Sequence, residues 1–291
     1  MAGAGSERLL DMPDAPSPVP AAGAPLVPSA RLTTALLLHV GLQVVYALRV
    51  LFSVAIIPIS KQFGYGSVEQ GYASAGFFAG YFLLQMPGGF AATRLGGHRV
   101  MALGVLVPSL VTMVTPFACS SLAGLVACRV ATGLLEGVTY PATHALLGRW
   151  APTHEKSQIV GLVWAGAYLG TALTLPFAGF LVDDGSVPGG GGGAPSWPLV
   201  FYVLGGLGVA WSAVWLAFGA SAPEELPRIS AAERDYIVAH RGAAAAEGEA
   251  VPWLALLRSP AVWAVCWAHF AHNVSPSRPT LLSLPPRRKF T

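Results

Sequence analysis

Three side chains of this 291-residue sequence stand where charge is costly. Arg49, Arg129 and Glu136 each lie deep inside a long apolar run. An ionisable group at the centre of a bilayer costs at least about 2.5–3.5 kcal/mol on insertion scales, so such groups face protein or water and not lipid. Arg49 lies about ten residues from the far end of the first run, and Arg129 about eight from the near end of the fourth. In an antiparallel pair of spans that spacing predicts similar depth. Glu136 follows Arg129 by seven positions, nearly two full turns, which predicts one shared helix face and a separation of about 10 Å along it. Two fixed cations and one titratable carboxylate would make a polar cavity that attracts an anion, with Glu136 able to take up a proton as part of coupling. The competing reading is an ion pair that only locks helices together. Two arginines against one glutamate leave a surplus positive charge that internal pairing cannot cancel, which favours the anion.

Other candidates carry less chemistry. His144 follows Glu136 by eight residues, about 80° round the helix, and His39 lies near the start of the first run, with His269 and His272 near the end of the chain. Each could relay protons, but hydrogen-bonded packing is the expected role. Pro58, Pro108, Pro141 and Pro176 fall within apolar runs and predict kinks. Gly166 and Gly170 form a GxxxG pair, expected at a close helix contact. Cys119, Cys128 and Cys266 are odd in number and set in apolar stretches, which suggests no disulfide framework and no metal site. No nucleophile–base pair, phosphate loop or metal-ligand cluster stands out, so an enzyme, a bound cofactor or a self-contained ATP-driven pump is not expected.

The elements that must position these residues are membrane helices. Hydrophobic residues make up 54% of the chain and charged residues only 11%, with mean hydropathy +0.58. An ordinary soluble domain carries roughly 25% charged residues. The net charge of +3 gives no basic surface for nucleic acid. Apolar stretches of bilayer-spanning length, about 20 residues, fall near 33–59, 68–93, 100–118, 121–148, 158–182 and 198–220, and a seventh begins near 253 and fades after Phe270. The segments between them divide the positive charge unevenly. With the N-terminus in the cytoplasm, Arg8, Arg31, Arg94, Arg99, Arg149, Lys156, Arg228, Arg234, Arg241 and Arg258 lie inside, against Lys61 alone in the outside loops. This bias predicts a multi-pass integral membrane protein with a cytoplasmic N-terminus. Residues 1–30 read as an irregular cytoplasmic leader to a bundle over 31–220. The stretch Asp183–Pro198, with its five-glycine run, reads as a flexible outside loop. An inside loop over 221–252 carries a capping-box pattern, Ser230 and Glu233, that opens a short surface helix from Ala231 to about His240. A partial seventh helix is expected over 253–273 and an irregular tail over 274–291.

Several of these segments resemble the major facilitator superfamily. The stretch GFAATRLGGHR, Gly89 to Arg99, is similar to that superfamily's loop between helices 2 and 3, with Thr93 where an acidic residue is usual and Gly97 where a basic one is usual. Further segments resemble the anion-transporting branch that contains sialin, the vesicular glutamate transporters and the plant plastid phosphate transporters. They are RVLFSVAIIPIS (Arg49–Ser60), GFFAGYFLLQMPGG (Gly76–Gly89), RVATGLLEGVTYPATHALLGRWAP (Arg129–Pro152), FYVLGGLGVAW (Phe201–Trp211) and PWLALLRSPAVWAVCWAHFAHN (Pro252–Asn273). The resemblance implies an all-α membrane protein built as the six-helix N-terminal bundle of the major facilitator fold plus a partial seventh helix. It implies a substrate path lined by Arg49 and Arg129, proton coupling or gating through Glu136, and a gating loop containing Gly89, Arg94, Gly96 and Arg99. Tyr140, His144 and Ser74 are accessory candidates. Ser74 stands where the vesicular glutamate transporters carry a histidine, which argues against glutamate itself.

The expected function is secondary transport of an organic anion or inorganic phosphate by alternating access, coupled to H⁺ or Na⁺. Members of this family have twelve helices in two halves, with the cavity between them, so this chain is expected to be the first half. The alternative is a truncated, non-transporting six-helix protein, or one that binds a partner half or a second copy of itself. On either reading Arg49, Arg129 and Glu136 are expected to face lipid unless that partner covers them.

Overall fold

The computed structural model describes residues 29–182, 197–242 and 253–274. The expectations for residues 1–28, for the glycine-rich stretch over 183–196, for 243–252 and for the tail beyond 274 lie outside the described residues. Among those described the chain is helical, with no strand. The bundle comprises α1 (Ala30–Phe63), α2 (Ser67–Leu95), α3 (Gly97–Ala118), α4 (Leu122–Glu136), α5 (Thr139–Trp150), α6 (Lys156–Val182) and α7 (Trp197–Phe218), followed by the short α8 (Ala231–His240). A separate unit holds α9 (Trp253–Arg258) and α10 (Pro260–Val274).

Five stretches are long and apolar enough to cross a membrane: α1, α3, α4 with α5, α6 and α7. The sixth span, α2, has 29 residues. Its packed face is built largely of glycine and alanine, Ala73, Gly76, Gly80, Gly88 and Ala92, while Phe78, Phe82, Leu83, Met86 and Phe90 are exposed along its other side.

The fourth span, expected as one helix over 121–148, is two helices separated at Gly137–Val138. The cause is Pro141, which has no N–H to give the carbonyl one turn earlier. The ladder loosens there. Val138 N–H bonds Leu135 O at 3.4 Å, and the Thr139 hydroxyl donates to Glu136 O at 2.7 Å in place of a backbone amide. Pro58, Pro108 and Pro176 lie inside helices that continue through them. The seventh span also divides, at Ser259–Pro260, where Ser259 N–H bonds Leu256 O and the Trp263 indole bonds Leu257 O.

Two long seams hold the bundle, α1 against α6 and α2 against α4 and α5. Both are built on backbone approach at glycine. A Cβ at Gly166 would sit 2.8 Å from the His39 carbonyl carbon, and one at Gly170 would sit 3.0 Å from Gln43 Cα. On the other seam a Cβ at Gly133 would sit 2.9 Å from the Phe77 carbonyl carbon and 3.0 Å from Tyr81 N. Exchanging α1 with α4–α5, α2 with α6 and α3 with α7 maps each extensive helix packing onto another. The six spans are therefore two interlocked three-helix units, as inverted repeats produce. Gly170→Val is expected to destabilise the bundle by about 1–3 kcal/mol, the usual cost of overpacking. Gly179→Ala, where nothing lies within 4 Å of the new Cβ, should leave the melting temperature unchanged. Equal melting temperatures for the two variants would refute the seam.

Three buried tryptophans on α5 and α7 fasten the core through indole N–H groups that find backbone carbonyls. Trp211 donates to Leu37 O, Trp215 to His98 O and Trp150 to Ala220 O. Trp211 and Trp215 stack at 5.4 Å. His98 returns a ring contact of 2.9 Å to Trp215 O. This cross-link sits beside Gly96, whose φ of +87° turns α2 directly into α3. Of the predicted gating loop, Gly96 is thus a structural corner, and a larger residue there would also meet the Ser221 hydroxyl. Gly89 lies inside α2, and Arg94 and Arg99 are exposed.

At the end of the bundle where α1 begins, α8 forms a clasp. Ser230 accepts from Glu233 N–H at 3.2 Å, as the capping pattern predicts. The Glu233 carboxylate does not complete the box; it accepts from Ala30 N–H and Arg31 N–H, at 3.1 and 3.2 Å, and so caps α1. Arg31 reaches on to Glu155 at 3.0 Å and lies over the Tyr236 ring at 5.0 Å, while Thr153 binds His240 O with both amide and hydroxyl. Nearby, burial alone would raise the Glu224 carboxyl, but the forked Arg241 guanidinium outweighs it and holds that carboxyl below its ordinary range. Glu233→Ala should cost about 0.5–2 kcal/mol, the usual worth of an N-terminal cap. Faster amide exchange in the first turn of α1 is the expected signature, with Asp235→Ala as the silent control.

Candidate substrate site

The three charged residues meet at the level where α1, α2 and α4 converge. Arg49 projects from α1 and Glu136 is the last residue of α4, placed there by the Pro141 break. Arg49 Nε lies 3.2 Å from Glu136 Oε2, and Nη2 is equally close. Glu136 is fully buried and Arg129 is 7% exposed, whereas the Arg49 side chain keeps 21% of its surface. One expectation is corrected here. The six-helix bundle itself covers Arg129 and Glu136, because both seams press α2 and α6 over the faces of α4 and α1. Glu136 takes its ion-pair partner from α1.

Arg129 has no carboxylate within ion-pairing distance among the described residues. What it has is aromatic. Its guanidinium carbon lies over the Phe52 ring at 4.2 Å and over Phe77 at 4.8 Å. Arg49 lies over Tyr46, Phe77 and Tyr81 at 4.9, 5.1 and 4.9 Å. Desolvated cation–π contacts return up to about 2 kcal/mol each, against an effective penalty of several kcal/mol for burying an ion. Three buried polar atoms of the cluster, Arg49 Nη2, Arg129 Nε and Glu136 Oε1, make no hydrogen bond within the described residues.

Of the accessory candidates, Tyr140 joins the cluster. Its hydroxyl pairs with that of Tyr46, and its ring packs on Trp164 at 4.7 Å and edge-on to Tyr81 at 6.4 Å. His144 is exposed beside Trp164, at 5.6 Å between rings. Ser74 lies on the exposed side of α2 with its hydroxyl bonded back to Gln70 O, and it touches none of the three charges by hydrogen bond or ion pair. His39 has the expected packing role, with Nδ1 2.7 Å from Leu162 O. The residues that sequence reasoning overlooked are Tyr46, Phe52, Phe77 and Tyr81. A signal existed only on α1, where Tyr46 and Phe52 flank Arg49 by three residues.

An arginine pair with one carboxylate, in an aromatic setting, can bind an anion and exchange it against the internal carboxylate. Comparison with known proteins identifies the family. Human sialin is 33% identical over 299 residues, covering 92% of this chain and 58% of its own. A rice protein described as probable anion transporter 4, chloroplastic, is 38% identical over 77% of this chain and 36% of its own. The sodium-dependent phosphate transport protein 1 of Arabidopsis thaliana chloroplasts is 37% identical, with 77% and 42% covered. The chain thus spans about half the length of these relatives. Among solved structures, a bacterial homolog of the human lysosomal transporter Spinster, inward-facing and unoccupied, superposes with a TM-score of 0.61 at 19% identity, covering 68% of this chain and 44% of that one. The Major Facilitator Superfamily model matches residues 38–277, and the chain belongs to that superfamily.

Proposed function

We propose that this chain supplies the anion-binding half of a secondary transporter for an organic anion or inorganic phosphate. The observation that carries the proposal is Arg129: a buried guanidinium with, among the described residues, an unpartnered Nε and no carboxylate at ion-pairing distance. Arg49 is the second anion ligand and Glu136 its internal competitor. While Glu136 is ionised it holds Arg49, and a proton on Glu136 removes the competitor and frees the guanidinium for the anion. This gives proton coupling a structural basis without further machinery. Tyr46, Tyr81 and Tyr140 supply hydroxyls at the rim. The distribution of arginine and lysine supports a cytoplasmic side for the α1 N-terminus and the α8 clasp, and the named relatives make phosphate and acidic sugars the first anions to try.

A second reading is favoured by the length of the match. Relatives about twice as long supply a second set of helices, and on this reading the chain alone binds and does not transport; the exposed apolar sides of α2 and α6 would then meet a partner half or a second copy. One experiment addresses both readings. The purified chain is reconstituted in liposomes with an imposed pH gradient and offered labelled phosphate, glutamate and sialate. Saturable uptake that disappears in Glu136→Gln supports a working carrier assembled from copies of this chain. Uptake only when a six-helix second half is added supports the binding-half reading. If phosphate and sialate neither bind nor move in either preparation, the proposed function is wrong.

A further inference from the structure

Among the described residues, Phe77 is the one ring that both arginines share. Its side chain is 1% exposed, so it is not there to meet lipid, and the guanidinium carbons of Arg49 and Arg129 lie 5.1 and 4.8 Å from its centroid. Its position is set by backbone. Gly133, one turn after Arg129 on α4, brings the Phe77 carbonyl carbon to 2.9 Å of where a Cβ would stand. Tyr81 stacks alongside at 5.9 Å and Phe78 closes edge-on at 5.3 Å, which leaves the ring no room to turn away. The other rings each serve a single arginine, Phe52 for Arg129 and Tyr46 and Tyr81 for Arg49.

We propose that Phe77 is the positioning residue of the anion site, whose negative ring face holds the two guanidinium groups at a fixed separation and lets Arg129 remain charged without a carboxylate. The proposal rests on the reading of Arg49 and Arg129 as the anion-binding pair. A space-filling aliphatic side chain would pack the same volume but has no quadrupole to attract a cation. Like charges at this spacing repel, and a shared ring is a way to keep them near each other while leaving their N–H groups free for a ligand. A second carboxylate would neutralise the site; an aromatic ring does not.

The test uses the full 291-residue chain with 4-fluoro-, 3,5-difluoro- and 3,4,5-trifluorophenylalanine at position 77. These changes weaken the ring face stepwise at nearly constant shape. Two quantities are measured: melting temperature without anion, and affinity for inorganic phosphate and for sialate. The expected result is a stepwise fall in both, reaching about three- to tenfold in affinity for the trifluoro ring, of the order that one cation–π contact supports. The steps should shrink in Arg129→Met and vanish when Arg49→Met is added, as a double-mutant cycle requires of a direct interaction. Phe77→Leu should behave as the trifluoro ring or worse. Flat melting temperatures and affinities across the series would overturn the proposal, as would fluorine sensitivity that survives both methionine substitutions. Stepwise melting temperatures with no binding of either anion by the wild type would uphold the role of Phe77 toward the arginines and sink the anion reading instead.

Discussion

Arg129→Met is expected to lower anion affinity by about a hundredfold or more while leaving the melting temperature unchanged or slightly raised. The two halves of this result come from the same fact. Arg129 is buried between Phe52 and Phe77 with no acid partner, so its charge is a net cost to the folded bundle, and a methionine fills the volume without that cost. What is lost is the charge-assisted bonding to a ligand, worth about 1.5–3 kcal/mol per hydrogen bond, and a forked guanidinium can make two. Phosphate and sialate binding to the purified chain, with a melting curve on the same sample, checks both. Undiminished anion affinity in the variant would remove Arg129 from the site. A collapse in stability would instead make it a structural cation, contrary to its lack of a carboxylate.

The second large effect concerns the pair that α1 and α4 form. Glu136→Ala leaves Arg49 without its acid, and breaking one side of a buried ion pair costs about 3–5 kcal/mol. Replacing both partners, Arg49→Met with Glu136→Met, should restore most of that loss, because two apolar side chains pack where two ions were held. The isosteric Glu136→Gln separates stability from coupling. In the wild type, anion affinity should rise as pH falls, since protonation of Glu136 releases Arg49. In Glu136→Gln affinity should be high and flat with pH, and uptake should no longer follow an imposed proton gradient. An unchanged pH profile in Glu136→Gln would show that the proton acts elsewhere.

Much of this arrangement could be read from the chain alone, for physical reasons that differ from residue to residue. Arg49, Arg129 and Glu136 were legible because lipid penalises charge so heavily that any ionisable group in a long apolar run requires explanation. The six spans and the surface helix after Ser230 were legible from length and capping chemistry. The split of the fourth span was half legible: Pro141 announced a disturbance, but the break falls at Gly137–Val138, one turn upstream, where the missing N–H is felt. The partner of Glu136 was not legible. A seven-residue spacing describes one helix face, while the approach of α1 depends on which glycines let α6 and α2 close in. The aromatic shell was hidden for another reason. Phenylalanine and tyrosine are ordinary in membrane helices, and nothing local distinguishes Phe77, which is buried under two cations, from Phe78, which is 64% exposed.

The glycine seams also have a mechanical meaning. Where main chain rests on main chain there is no side-chain layer to deform, so α1 against α6 and α2 against α4 have little compliance in shear; a slip of one residue would drive Cβ atoms into carbonyls. On the proposed reading, a ligand pulling on Arg49 and Arg129 would load two stiff joints at once. Such a body would answer by tilting as a whole and not by rearranging inside, and the strain would be delivered to its perimeter, at the α8 clasp and the uncovered sides of α2 and α6.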